Sequence, residues 1–170
     1  FLHGFPWYAV SIAAMAQGEP LAGVVLNVAN GDLFTPAKGS GARRNGQPIQ
    51  VSTIEEPGRA LLGTGFPFKN REGIEPYLRV LPRLMETAAG LRRAGAASLD
   101  LCDVACGRFD AFWEYQLAPW DVAGGVLVIR EAGGVVTHLD GSPAGVVHGA
   151  FVAGNPKMHA WLLKELGVGS

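Results

Sequence analysis

Hydrophobic and polar positions alternate through the first third of the chain and then recur at helical spacing through the rest. Residues 7–14 alternate, with Tyr8, Val10 and Ile12 on one side, and predict a strand. Gly18-Glu19-Pro20 marks a turn, and 21–28 predicts a second strand. Asn30-Gly31-Asp32 is a hairpin signal, because the favoured tight turns need residues that tolerate positive φ. A short strand follows at 33–35, Gly39-Ser40-Gly41 loosens the chain, and Asn45-Gly46 turns it again before 48–51 returns. Consecutive strands joined by short turns predict an antiparallel sheet.

The pattern changes after Ser52, and Glu55-Glu56-Pro57-Gly58 is the best candidate boundary, dividing the chain into 1–56 and 57–170. Beyond it strands at 61–65, 91–94, 109–115, 135–138 and 150–153 alternate with helices at 74–89, 96–106, 119–132 and 156–166. The first of these helices carries Leu78, Leu81 and Met85 on one face, with Pro82 as a kink. The second groups Leu99, Cys102 and Cys106, and Asn155 with Pro156 caps the last. The expected fold class is therefore α/β in layers: an antiparallel sheet part, then a mixed or parallel sheet part with helices.

The helix at 119–132 is the most unusual element. Pro119 suits a first helical position, and Asp121 falls in the first turn, where the helix dipole favours a carboxylate. Val122, Val126 and Ile129 form one apolar stripe, and Gly133-Gly134 suits a C-cap. Gly124-Gly125 inside the helix costs about 1 kcal/mol per glycine relative to alanine, so a close backbone approach is expected there.

Composition narrows the function classes. Of 170 residues, 48% are hydrophobic and 17% charged, which fits a globular protein with a substantial core. With 14 basic and 15 acidic residues and no basic run, neither a nucleic-acid partner nor an anionic membrane is implied. No apolar stretch approaches the roughly 20 residues of a membrane-spanning helix. Cys102 and Cys106, four apart on a helix, read as structural thiols, which favours a reducing, cytoplasmic setting. His3, His138, His148 and His159 lack ligand spacing and read as surface or loop residues, so zinc is disfavoured.

Three junctions can carry chemistry, since sites in α/β sheets gather at strand C-termini and the helix starts that follow. Arg93-Ala94-Gly95-Ala96-Ala97-Ser98 leads a short strand into a helix whose free N–H groups suit an anion or a hydroxyl, or a turn needed only for packing. Glu114 closes the strand at 109–115, as a site acid or a solvated edge acid, and Asp121 opens the next helix, as a site acid or a helix-terminus charge. The two acids flank one turn. Asp121 suits a hard divalent cation such as Mg²⁺, which takes one or two carboxylates and fills its shell with water and phosphate oxygens. Glu114 suits a hydrogen bond to a substrate hydroxyl at least as well.

Together these segments resemble the inositol monophosphatase family. Ala118-Pro119-Trp120-Asp121-Val122-Ala123-Gly124-Gly125, running on to Glu131-Ala132-Gly133-Gly134, is similar to the family's W-D-x-A-A-G…E-A-G-G signature. Gly95-Ala96-Ala97-Ser98-Leu99-Asp100-Leu101 resembles its G-S/A-A-A-L-x-L segment, and Gly107-Arg108-Phe109-Asp110-Ala111-Phe112-Trp113-Glu114 its G-R-x-D-A/G-x-x-E run. Phe1-Leu2-His3-Gly4-Phe5-Pro6, Val10-Ser11-Ile12-Ala13 and Gly39-x-Gly41-Ala42…Asn45-Gly46-x-Pro48 also match.

The resemblance implies an αβαβα sandwich, a homodimer, and Mg²⁺-dependent hydrolysis of a phosphate monoester, inositol monophosphate or a related sugar phosphate. It makes Asp121 a metal ligand, Glu114 a contact to a sugar or inositol hydroxyl, and Gly95, Ala96 and Ala97 the substrate-contacting helix start. Fructose 1,6-bisphosphate, a nucleotide 3′-phosphate and histidinol phosphate are alternative substrates within the same resemblance. The family's upstream glutamate and D-P-x-D-G-T motif have no match here, because Phe1 aligns just after them. The expectation is thus a chain truncated after the first metal motif and inactive alone, with a non-catalytic binding or dimerising short form as the other reading.

Overall fold

The computed structural model describes residues 2–67 and 74–167. Five strands, β1 (Ala9–Ala16), β2 (Glu19–Asn27), β3 (Leu33–Ala37), β4 (Gly41–Arg44) and β5 (Gln47–Pro48), form an antiparallel meander in sequence order. There follow β6 (Leu61–Thr64), α1 (Ile74–Thr87), β7 (Gly90–Arg92), α2 (Ala97–Ala105), β8 (Ala111–Leu117), α3 (Pro119–Glu131), β9 (Val135–His138), β10 (Gly149–Gly154) and α4 (Pro156–Glu165). The second sheet has the order β7-β6-β8-β10-β9. β6 runs parallel to β7 and β8, while β10 is antiparallel to β8 and β9, so the sheet is mixed as expected.

Alternation along the strands builds the layers. Val25 and Phe34 of the first sheet, Phe112 and Phe151 of the second, and Leu101, Val122, Val126 and Ile129 of α2 and α3 share one core. On the other face of the second sheet, Leu62, Trp113 and Val152 pack with α1 and α4. The order is sheet, helix pair, sheet, helix pair. The outer face of the first sheet carries exposed Val10 and Ile12.

The paired glycines of α3 serve the close approach that their sequence position implied. A side chain on Gly124 would stand 2.9 Å from Val25 Cγ2 of β2, and one on Gly125 would stand 2.8 Å from Leu101 Cβ of α2. Gly133, at φ +81°, ends the helix, with Gly134 N–H bonded to Ile129 O.

Three local expectations are corrected. In α1 the buried side chains are Tyr77, Val80 and Leu84, whereas Leu78 and Met85 are 55% and 65% exposed. Two overlapping apolar stripes exist on this helix, and the one with the aromatic ring wins: Tyr77 stacks on Trp113 at 5.8 Å and bonds Thr64 Oγ1. Gly39-Ser40-Gly41 does not loosen the chain. It is the β3–β4 turn, and the N–H groups of Gly39 and Gly41 both donate to the Glu131 carboxylate, at 2.9 and 2.8 Å. Asn155 does more than cap. Its Oδ1 accepts from Lys157 and Met158, while its Nδ2 donates to Ser52 Oγ and Ile54 O in the segment joining the two sheets.

Candidate active site

β6, β8, α2 and α3 converge at one end of the second sheet, on the side of the inner helix layer. Trp113 faces α1, so the pleat directs Glu114 the other way, toward the N-termini of α2 and α3. There a cavity of about 340 Å³ is lined by Gly65, Gly95, Ala96, Ala97, Asp100, Glu114 and Asp121, among others. The five residues singled out in the sequence thus lie together. Glu114 sits inside β8 rather than at its end, because the strand begins two residues later than expected and runs to Leu117.

Asp121 is the third residue of α3. Its Oδ2 accepts from Ala118 N–H at 2.9 Å, closing the exposed helix start and fixing the carboxylate's direction. At α2, Gly95 adopts φ +109°, and the first hydrogen bond of the turn is Leu99 N–H to Ala96 O. The N–H groups of Ala97 and Ser98 precede it and face the open end. Glycine is needed there for its conformation; a side chain would also meet Arg93 Nη1 at 2.5 Å, the end of a flexible side chain.

The electrostatics are those of a desolvated acidic site. Burial pushes the Glu114 carboxyl up to about 7; Arg93 opposes this and Asp121 adds to it. Asp100 is pushed up to about 8, first by burial and then by Glu114 and Asp103, with Arg93 opposing. Asp100 was not singled out in the sequence. Its signal was available, as one of two aspartates within an otherwise apolar helix whose residues from Ser98 to Ala105 are all buried. The other, Asp103, is held by Arg108 at 3.0 Å, and the same guanidinium reaches Asp32 at 2.8 Å.

The histidines lie elsewhere. His159 is buried against Thr137 Oγ1 at 2.9 Å, not on the surface, because it points inward from α4. Among the described residues no three His, Cys, Asp or Glu side chains form a metal-binding group. Cys102 and Cys106 are unpaired, and burial raises both thiols above their ordinary range.

Known proteins resemble this chain over nearly its whole length. The chain is 46% identical over 168 residues to the Nus factor SuhB of Pseudomonas aeruginosa, covering 98% of this chain and 62% of that protein. It is 45% identical over 155 residues to the inositol-1-monophosphatase of Rhizobium meliloti, covering 91% and 58%. The crystal structure of the extragenic suppressor protein SuhB from Bartonella henselae superposes with a TM-score of 0.93 at 41% identity, over 99% of this chain and 65% of that one. The chain therefore spans less than two thirds of the length of these relatives. With the family's sequence model matching residues 1–168, the chain belongs to the inositol monophosphatase family.

Proposed function

We propose that the protein carrying this chain hydrolyses a phosphate monoester with Mg²⁺, and that its substrate is inositol monophosphate or a related sugar phosphate. The observation that carries this reading is the single cavity holding Asp121, Glu114 and the α2 N-terminus side by side. The donor set fits Mg²⁺ in a limited way. One Asp121 oxygen is engaged by Ala118 N–H, which leaves the other for a cation that otherwise keeps water and phosphate oxygens. Bound there, Mg²⁺ would supply charge against the phosphate oxygens and acidify water. The chain's own groups do the rest. The N–H groups of Ala97 and Ser98, with the α2 dipole behind them, hold an anionic or hydroxyl oxygen. Gly95 and Ala96 shape the backbone that presents them, and Glu114 accepts from a polyol hydroxyl, orienting the leaving group. The unpaired cysteines fit a reducing compartment, which we read as the cytoplasm.

Phosphate release from inositol 1-phosphate tests the reading. The whole protein should release phosphate with Mg²⁺ and stop with chelator. Asp121→Asn should lower kcat/KM about a hundredfold or more while leaving the fold intact, because the asparagine oxygen still accepts from Ala118. A protein inert toward phosphate monoesters overturns it.

A second reading is a non-catalytic binding module, consistent with the Nus factor name of the Pseudomonas relative. It is favoured by the exposed apolar side chains of Val10 and Ile12 on the outer face of the first sheet. A homodimer through that face would dissociate in sedimentation on Ile12→Glu, and an Asp121→Asn protein that keeps its assembly would separate the two roles.

A further inference from the structure

Asp100 is 1% exposed, and its Oδ1 has no hydrogen-bond partner among the described residues. A carboxylate in that position is unfavourable unless a partner arrives or the group is protonated. The residue belongs to the cavity wall, on the turn of α2 that follows Ala97, in the same cavity as Glu114, whose charge acts on it. Its helix neighbour Asp103 shows what a structural buried acid looks like here, with an arginine 3.0 Å away. Among the described residues no cation is bonded to Asp100. It is the acid of α2 that is directed at the cavity rather than at a salt bridge.

We propose that Asp100 is a specificity-determining residue: with Glu114 it forms a pair of acids that grips a hydroxyl of the substrate's polyol, one donating a hydrogen bond and the other accepting one. A hydroxyl both donates and accepts, so a single ionised carboxylate satisfies only half of it. Glu114 takes the hydroxyl proton in a hydrogen bond, and Asp100, as the neutral acid, donates to the hydroxyl oxygen. The upward shift of Asp100 to about 8, caused first by burial and then by Glu114, agrees with a proton resident there at neutral pH. No bond is made or broken. The pair reads the alcohol portion of the ester and leaves the phosphate to Asp121 and α2. This rests on the phosphatase reading and adds what selects the leaving group.

The test compares two substrates in the whole protein with Mg²⁺: inositol 1-phosphate, which has hydroxyls beside the ester, and phenyl phosphate, which has none. Asp100→Leu should raise KM for inositol 1-phosphate about tenfold and leave phenyl phosphate within about twofold, because one hydrogen bond from a buried donor is lost. Asp100→Asn, whose amide still donates, should keep the preference within about threefold. Binding of inositol 1-phosphate by calorimetry in Ca²⁺, without turnover, should follow the same order. The proposal is overturned if the leucine variant keeps its preference, if both substrates fall equally in a folded protein, or if asparagine fails as fully as leucine. A wild-type protein that hydrolyses neither substrate would instead overturn the phosphatase reading itself.

Discussion

The Glu114 carboxylate lies directly over Gly65, in the space that a β-carbon on that glycine would fill. Gly65 follows the last residue of β6, and Glu114 is on the neighbouring strand β8, paired to β6 in parallel. The absent side chain is what lets an acid from the middle of a sheet turn flat into the cavity. Gly65→Ala should push the carboxylate outward without unfolding the protein. The expected result is a KM for inositol 1-phosphate raised about tenfold or more, since displacement of a positioning group by 1 Å is costly. Steady-state kinetics checks this, and a structure of the variant should show Glu114 in another rotamer.

Asp100 ties stability to pH with a definite sign. Its folded-state acidity lies near 8, against 3.8 for an ordinary aspartate, because burial comes first and Glu114 and Asp103 add to it, with Arg93 opposing. The folded protein therefore holds a proton there that the unfolded chain releases above about pH 4. Stability from this group is fully present below pH 4 and falls as pH rises toward 8, by up to about 1.4 kcal/mol per pH unit. Urea unfolding at pH 5, 6, 7 and 8 should show this decline, and Asp100→Asn should make it shallower, leaving the part that Glu114 contributes up to about pH 7. A wild-type slope unchanged by the substitution rules the linkage out.

The fold was largely legible because its signals are local. Turn glycines, the capping Asn155 and the Pro119–Asp121 helix start each act within a few residues, and they placed most elements within two residues of their bounds. What was not legible depends on packing between distant segments. The stripe of α1 could be chosen only by knowing that Trp113 waits beneath Tyr77. The clamp of Glu131 on Gly39 and Gly41 joins residues about ninety apart in sequence. In the site, Asp121, Glu114 and the Gly95–Ala97 turn were readable from motif and position. Asp100 was readable only as one of two acids in an apolar helix, because what distinguishes it from Asp103 is the guanidinium of Arg108, which reaches Asp103.

Gly124 and Gly125 differ in what they approach, which predicts unequal effects. A methyl at Gly124 meets Val25 Cγ2 at 2.9 Å and Ser11 Oγ at 3.1 Å; the serine can turn aside, while Val25 is β-branched and fully buried. A methyl at Gly125 meets Leu101 Cδ1 at 2.5 Å and Cβ at 2.8 Å, and a β-carbon moves only with its helix. Alanine gains about 1 kcal/mol of helix propensity at either site. Gly124→Ala should thus cost less than Gly125→Ala, which should lose about 1–2 kcal/mol net through overpacking between α2 and α3. Thermal or urea unfolding of the two variants measures the difference, and equal stabilities would mean that the inner helix layer yields more easily than its contacts imply.

Asn155 permits a sharper separation of two roles on one side chain. Its oxygen caps α4, and its nitrogen holds Ser52 Oγ at 3.0 Å and Ile54 O at 2.8 Å. Ser52 Oγ in turn donates to Asp110, whose other oxygen accepts from Leu61 N–H at 2.7 Å, so the amide anchors the segment between the sheets to the start of β6. Asn155→Asp keeps the cap and improves its charge relative to the helix dipole. Were capping the whole role, this variant would be neutral or slightly stabilised. Losing both donated bonds and setting a buried carboxylate beside the Ile54 carbonyl, close to Asp110, should instead cost about 2 kcal/mol at pH 7. The deficit should shrink below about pH 4, where the new acid protonates and can donate again. Urea unfolding of Asn155→Asp at pH 7 and pH 4 reads both effects, and a neutral variant at pH 7 would reduce Asn155 to a cap.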